Sequence, residues 1–161
     1  MIKTLRSLAF ICSVFCTAQV AANDVAPDFT LKSNGGENLR LEEQRGNVVM
    51  LNFWATWCAP CRKEMPVLEQ IHQRYSAAGF VLWGVNVEQD SAAAAAMAKD
   101  LGVSFPIVFD PESKASQAYG IDAMPTTILI DRDGNIRYKH RGLPKGYEEK
   151  YRTQVRELLA E

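Results

Sequence analysis

The chain is poor in the residues that build most structural metal sites. Its 161 residues include four cysteines and two histidines. Apart from a C-x-x-C pair at Cys58 and Cys61, the candidate ligands are Cys12, Cys16, His72 and His140. Zinc normally takes four ligands, from a second C-x-x-C or from a closely spaced histidine pair, and none of these residues has that spacing. We therefore expect no metal site.

Basic tracts, low-complexity segments, internal repeats and linker-like stretches are missing as well. The formal net charge is −1, so we do not expect nucleic acid or an anionic membrane surface as a partner. Without a linker, the chain after its N-terminal segment is predicted to form one domain, and about 140 residues suffice for a single hydrophobic core. We expect a monomer.

The N-terminal residues have the composition of a secretory signal peptide. Lys3 and Arg6 supply the positive start, an apolar run follows, and Val20-Ala21-Ala22 offers the small residues that a signal peptidase reads. We expect residues 1–22 to be removed by cleavage before Asn23. The alternative is an uncleaved N-terminal membrane anchor, although the apolar run is shorter than the ~20 residues that a span needs.

Export with cleavage of the signal peptide would reduce the number of cysteines from four to two. Cys12 and Cys16 would leave with the signal peptide, and the mature chain would keep only Cys58 and Cys61. Exported proteins meet an oxidising environment. The length of the signal suggests a bacterial protein, and we therefore expect a periplasmic location in which this pair stays oxidised unless a donor supplies electrons.

The segment Trp57-Cys58-Ala59-Pro60-Cys61 carries the strongest chemical signal. The apolar run 48–54 before it predicts a buried strand, and apolar residues at helical spacing follow it. A cysteine at a helix start faces unpaired N–H groups and the positive end of the dipole, which favour the thiolate. Cys61 is placed to close a reversible disulfide. A static disulfide is disfavoured, because so short a loop removes little unfolded-state entropy.

Strands and helices alternate along the rest of the chain, which predicts an α/β fold with a central mixed sheet covered by helices. Strands are expected near 29–31, 38–41, 48–54, 80–87, 105–109, 126–130 and 136–140, the first two as a hairpin. Helices are expected over about 60–77, from a Ser91 cap to Gly102, near 113–119 and from near Pro144 onward.

Several segments together resemble the thioredoxin superfamily. Residues 53–62 resemble its active-site segment, residues 123–127 (Ala-Met-Pro-Thr-Thr) resemble its cis-proline loop, and Pro66 matches the proline that kinks its active-site helix. Residues 26–31 and 105–110 resemble the exported TlpA/ResA-like branch. The resemblance covers residues 26–141 and implies a thioredoxin fold for residues 23–161, with an N-terminal β-hairpin extension.

The resemblance implies a redox-active Cys58–Cys61 disulfide that needs no cofactor, with Glu64 as a third candidate catalytic residue. Cytosolic thioredoxins carry a buried aspartate and a lysine at the positions of Asn52 and Gly84, so that couple is missing here. Glu64 follows Cys61 by three residues and shares its helix face. In a partly buried position its pKa would be raised, and it could exchange a proton with Cys61. The alternative is a surface acid near the helix start.

The same resemblance places substrate contacts around the disulfide. A cis bond before Pro125 would turn Met124 toward the disulfide and leave its backbone free to pair with a substrate strand. The implied substrate-binding residues are Trp57, Ala59, Pro60, Met124, Pro125 and Thr126.

The expected function is a periplasmic thiol–disulfide oxidoreductase that works as a disulfide reductase on substrate proteins. Cys58 would attack the substrate disulfide, Cys61 would resolve the mixed disulfide, and a membrane electron donor of the DsbD/CcdA type would re-reduce the pair. Cytochrome c maturation is one candidate role. However, the Gly-Val-x-Gly run of CcmG/DsbE-type proteins is replaced by Tyr119-Gly120-Ile121-Asp122.

Two alternatives come from related folds. A peroxiredoxin needs a threonine three residues before its peroxidatic cysteine, and this chain has Ala55 there. A Sco-type copper chaperone, which is not an enzyme, needs three residues between its cysteines and a histidine ligand, whereas two residues separate Cys58 from Cys61.

Overall fold

The fold is described from a computed structural model that covers residues 24–161. The expected signal peptide over residues 1–22, its cleavage before Asn23 and the alternative membrane anchor lie outside these residues. Between residues 24 and 161, no helix combines the length and the hydropathy that crossing a membrane requires.

Seven strands form one mixed sheet in the order β2-β1-β5-β4-β3-β6-β7. The strands are β1 (Thr30–Ser33), β2 (Asn38–Arg40), β3 (Val48–Trp54), β4 (Phe80–Asn86), β5 (Ile107–Phe109), β6 (Thr126–Ile130) and β7 (Ile136–Arg141). The helices are α1 (Ala59–Tyr75), α2 (Ser91–Asp100), α3 (Lys114–Ala118) and α4 (Tyr147–Leu159). This architecture confirms the predicted α/β thioredoxin fold and its N-terminal hairpin.

Strand β3 lies in the interior of the sheet, between β4 and β6, and its seven residues are all buried because apolar side chains cover both of its faces. It runs parallel to β4 and antiparallel to β6. Val48, Met50 and Trp54 belong to one core with α1 and α4, whereas Val49 and Leu51 belong to the core on the other face. The end of β3 is thereby fixed between two packed layers, and this is where the cysteine motif begins.

Several element boundaries differ from the sequence prediction by a few residues, and three of these differences have a clear structural reason. The cap of α2 is Asp90 rather than Ser91, since its carboxylate accepts hydrogen bonds from the N–H groups of Ala92 and Ala93. Strand β5 begins at Ile107 rather than at Phe105, because the intervening Pro106 has no N–H to donate.

Helix α4 begins at Tyr147 rather than near Pro144. Residues 144–146 form a turn in which the Tyr147 N–H donates to the Pro144 carbonyl and Gly146 has a φ of 70°. Glycine adopts this left-handed conformation without the steric cost that a side chain would add.

Candidate active site

The two cysteines lie at the junction of β3 and α1 and form a disulfide with an S–S distance of 2.00 Å. A turn closed by the Cys58 N–H on the Ala55 carbonyl, at 3.1 Å, ends β3. Cys58 is the N-cap of α1, and its Sγ accepts a hydrogen bond from the Cys61 N–H at 3.2 Å. Pro60 occupies the first turn, where no N–H is needed. The positive end of the helix therefore faces the Cys58 sulfur.

The surface beside the disulfide is apolar and open. Trp57 is 67 % exposed, and Ala59 and Pro60 are exposed as well. The Met124–Pro125 peptide bond is cis, as expected, and Met124 packs against the core that contains both cysteines. The expected substrate-binding residues are thus brought to one end of the sheet.

Pro125 and Thr126 are placed differently from the other expected contacts, because both are buried. Thr126 is fully buried in β6, opposite Phe53, and its hydroxyl donates to the Ala123 carbonyl at 2.8 Å. Its side chain therefore stabilises the loop from the protein interior and does not belong to the exposed surface.

Glu64 is fully buried, which overturns the alternative of a surface acid. Its carboxylate accepts three hydrogen bonds. The Tyr151 hydroxyl and the Thr127 hydroxyl donate to Oε1 at 2.8 and 3.2 Å, and Asn52 Nδ2 donates to Oε2 at 2.9 Å. Elements β3, β6, α1 and α4 each contribute one member of this cluster.

Burial dominates the electrostatics of the cluster. It raises the pKa of Glu64 above the ordinary value of 4.5, although the hydrogen bonds from Tyr151, Asn52 and Thr127 lower it in part. Burial, followed by the nearby Glu64 charge, also raises the pKa of Tyr151. Tyr151 therefore keeps its proton and remains a donor to Glu64.

The strand position that holds the aspartate in cytosolic thioredoxins is filled by Asn52, and its neighbour in β4 is Gly84. A Cβ on Gly84 would lie 2.8 Å from Ile107 Cδ1 and 3.2 Å from Trp54 Nε1. Packing therefore leaves no room there for a lysine. Within the described residues, Asn52 Oδ1 and Trp54 Nε1 are buried without hydrogen-bond partners.

A second carboxylate, Glu88, lies beside the turn that precedes Cys58. It accepts hydrogen bonds from the N–H and the hydroxyl of Thr56 at 2.6 and 2.7 Å, and from Asn86 Nδ2 at 3.1 Å. Partial burial raises the pKa of Glu88, but the bonds from Thr56 and Asn86 outweigh it, so the pKa lies below its ordinary value.

Sequence reasoning missed Tyr151 and Glu88. Tyr151 falls at helical spacing in the last helix, which predicts that it is buried but gives no sign of its hydroxyl's partner. Glu88 lies in a loop without a motif. His140 Nε2 lies 2.8 Å from Gln154 Oε1, and its ring packs against that of Tyr151.

Comparison with known proteins gives a consistent set of matches. The model of the redoxin family matches residues 21–155. Thiol-disulfide oxidoreductase ResA of Geobacillus thermodenitrificans is 40 % identical over 118 residues, which cover 73 % of this chain and 68 % of that protein. ResA of Halalkalibacterium halodurans is 34 % identical over 160 residues, covering 99 % and 89 % of the two chains.

A solved structure with the same fold comes from Chlorobium tepidum and is provisionally assigned as thiol:disulfide interchange protein DsbE. It superposes with a TM-score of 0.81 at 35 % identity and covers 85 % of this chain and 96 % of its own. The family match spans the cysteine motif, the Glu64 cluster and the cis-proline loop.

Proposed function

Since the chain belongs to the redoxin family, among its ResA-type thiol–disulfide oxidoreductases, we propose that it works as a disulfide reductase on proteins. The observation that carries the proposal is the Cys58–Cys61 disulfide at the N-terminus of α1, with an exposed apolar surface beside it. A helix start favours the thiolate, which is the attacking form of cysteine.

The reaction has two exchange steps. The Cys58 thiolate attacks one sulfur of a substrate disulfide, forms a mixed disulfide and releases the other sulfur as a thiolate. The Cys61 thiol then loses its proton and attacks the Cys58 sulfur, which releases the second substrate thiolate. Two electrons pass to the substrate, and the protein is left with the Cys58–Cys61 disulfide.

Glu64 is the proposed acceptor of the Cys61 proton. It lies three residues after Cys61 on the same helix face, is fully buried, and has a raised pKa because of that burial. A buried carboxyl group with a raised pKa holds a proton more readily than an exposed one, and can both take and return it. The donors Tyr151, Thr127 and Asn52 keep the carboxylate in place while its charge changes.

The substrate is proposed to lie across the apolar surface next to the disulfide. Trp57, Ala59 and Pro60 would contact it on one side and Met124 on the other, with the buried Pro125 fixing the conformation of the loop. The buried hydroxyl of Thr126 would support the loop. The Pro125 carbonyl is already engaged by the Gly142 N–H at 2.7 Å, so the free backbone edge for a substrate strand is that of Met124.

The location and the partners follow from the exported character of the resembling branch and from the expected signal peptide. We place the protein in the periplasm, as a monomer, with its electrons supplied by a membrane donor of the DsbD/CcdA type. Cytochrome c maturation is one candidate pathway, and the similarity to a protein assigned as DsbE supports it.

A trapping experiment tests the proposed reductase. Cys61→Ala, expressed with residues 1–22 in place, should accumulate substrates as mixed disulfides on Cys58, which mass spectrometry would identify. Cys58→Ser is the control and should trap none. Rapid alkylation of intact cells should find the wild-type pair mainly as dithiol. A pair that is predominantly oxidised in cells would contradict the reducing direction.

A further inference from the structure

The turn between β3 and α1 is held from outside by a group that the proposed reaction does not use. Glu88 lies two residues after the end of β4, and its two carboxylate oxygens bind the N–H and the hydroxyl of Thr56 at 2.6 and 2.7 Å. Thr56 immediately precedes Trp57 and Cys58. Glu88 thus contacts the segment that carries both the exposed surface and the proposed attacking sulfur.

The backbone N–H and the backbone carbonyl of Thr56 both form hydrogen bonds with side chains. In the Ala55–Cys58 turn, the closing hydrogen bond uses the Cys58 N–H and the Ala55 carbonyl, so the Thr56 N–H is free for another acceptor. Glu88 accepts it, and Arg62 Nη1 of α1 donates to the Thr56 carbonyl at 2.7 Å. The turn is therefore attached to β4 through Glu88 and to α1 through Arg62.

Glu88 itself is fixed to the sheet by Asn86, which is fully buried at the end of β4. Asn86 Nδ2 donates to Glu88 Oε2, and the Glu88 N–H donates back to Asn86 Oδ1, both at 3.1 Å. Asn86 Nδ2 also contacts the Trp54 carbonyl at 3.4 Å. This pairing presents the carboxylate to Thr56 in one orientation.

We propose that Glu88 is a positioning residue for disulfide exchange, because it holds the Ala55–Cys58 turn in the shape that a polypeptide substrate docks against. The inference rests on the proposed exchange reaction of Cys58. If the turn is already ordered in the free protein, it loses no conformational entropy when the substrate docks. Binding is then tighter than it would be to a flexible turn. The effect should therefore appear in KM for large substrates more than in kcat.

Two substitutions at this position separate geometry from charge. Glu88→Ala removes both contacts with Thr56. Glu88→Gln removes the charge, yet its Oε1 can accept from the Thr56 N–H while its Nε2 donates to the Thr56 hydroxyl oxygen. Thr56→Val keeps the backbone bond and loses the hydroxyl bond. Gln89→Ala, at the exposed neighbour, is the matched control.

The activity test measures insulin reduction with dithiothreitol as the electron source, and it measures a single turnover of reduced protein with the small disulfide dithiobisnitrobenzoate. Glu88→Ala should raise KM for insulin about tenfold, which is the size of effect expected when one hydrogen bond no longer orders the turn. Its kcat and its rate with the small disulfide should stay within about twofold of wild type. Glu88→Gln and Gln89→Ala should behave as wild type, and Thr56→Val should fall between.

Amide hydrogen exchange gives a readout that does not depend on activity. Exchange at residues 56–58 should be faster in Glu88→Ala than in wild type and unchanged in Glu88→Gln. Should Glu88→Ala fail to fold, Thr56→Val takes its place in both measurements. The inference would be overturned if Glu88→Ala and Glu88→Gln raised KM for insulin equally. It would also be overturned if Glu88→Ala kept the wild-type KM and the wild-type amide exchange rate at residues 56–58. Failure of wild-type protein to reduce insulin would instead overturn the proposed function.

Discussion

Two carboxylates flank the disulfide, and they respond to the protein in opposite ways. Glu64 accepts hydrogen bonds from Tyr151, Thr127 and Asn52, and Glu88 accepts three from Thr56 and Asn86. The number of donors is the same. Nevertheless, the pKa of Glu64 is raised and that of Glu88 is lowered.

Burial accounts for the difference. Glu64 is completely enclosed under α4, so the loss of hydration outweighs its donors and favours the protonated carboxyl group. Glu88 is only half-buried, and one of its donors is a backbone N–H, so the donors outweigh burial. The first carboxylate is suited to exchange a proton. The second is suited to remain an anion that holds a turn.

The largest expected effect is on catalysis by the enclosed carboxylate. Glu64→Gln should slow disulfide exchange about a hundredfold at neutral pH, because the amide cannot accept the Cys61 proton. The fold should persist, since the unpartnered Asn52 Oδ1 can turn to accept from the new amide nitrogen. Stopped-flow exchange rates measured between pH 5 and 9 check this.

The same variant has a spectroscopic consequence. Glu64 and Cys61 should titrate as a coupled pair in the reduced protein, so Glu64→Gln should simplify the thiol titration followed at 240 nm. An unchanged titration together with an unchanged rate would remove Glu64 from the reaction.

A smaller effect is expected from removing one donor to Glu64. Tyr151→Phe should destabilise the protein by about 1–2 kcal/mol, because the hydroxyl bond is lost inside the core. Since that bond lowers the pKa of Glu64, its loss should move the acidic limb of the pH–rate profile to higher pH. Urea unfolding and pH–rate measurements check both parts.

Tyr147→Phe is the matched control for this change. Tyr147 packs edge-on against Tyr151 but makes no hydrogen bond to Glu64 within residues 24–161. An equal shift of the pH profile in both variants would show that ring packing, and not the Tyr151 hydroxyl, controls Glu64.

The smallest expected effect is a difference in how the two carboxylates change stability with pH. The folded pKa of Glu64 is raised, so above about pH 4.5 the unfolded chain loses this proton first and stability falls as pH rises toward the folded pKa. The folded pKa of Glu88 is lowered, so its contribution is present above about pH 4.5 and is lost as pH falls toward its folded pKa.

Unfolding free energies of wild type, Glu64→Gln and Glu88→Gln between pH 3 and 8 separate these contributions. The advantage of wild type over Glu64→Gln should shrink as pH rises. The difference in unfolding free energy between wild type and Glu88→Gln should increase as pH rises. It should not exceed about 1 kcal/mol, as expected for a partly exposed group. If both differences in unfolding free energy changed with pH in the same direction, the proposed contrast between Glu64 and Glu88 would be wrong.

Local patterns predicted the parts of the site that lie close together in the chain. The apolar run of β3, the C-x-x-C motif and the spacing of Glu64 from Cys61 all concern neighbouring residues, and the cis bond before Pro125 followed from a recognised segment. Tyr151 and Glu88 could not be predicted in this way. Their contacts with Glu64 and Thr56 depend on how α4 and β4 pack, and amphipathic spacing indicates burial without giving the partner.

The distance along the chain between Glu64 and Tyr151 has a consequence for biosynthesis. The two residues are 87 positions apart, and synthesis proceeds from the N-terminus. Both cysteines therefore leave the ribosome long before the helix that covers Glu64 exists. A nascent chain, or a fragment that ends before α4, carries the complete Cys58–Cys61 pair while Glu64, the proposed proton acceptor, is not yet enclosed. Under the proposed mechanism, full thiol chemistry becomes available only when the last helix has docked, which would tie the onset of activity to the completion of the fold.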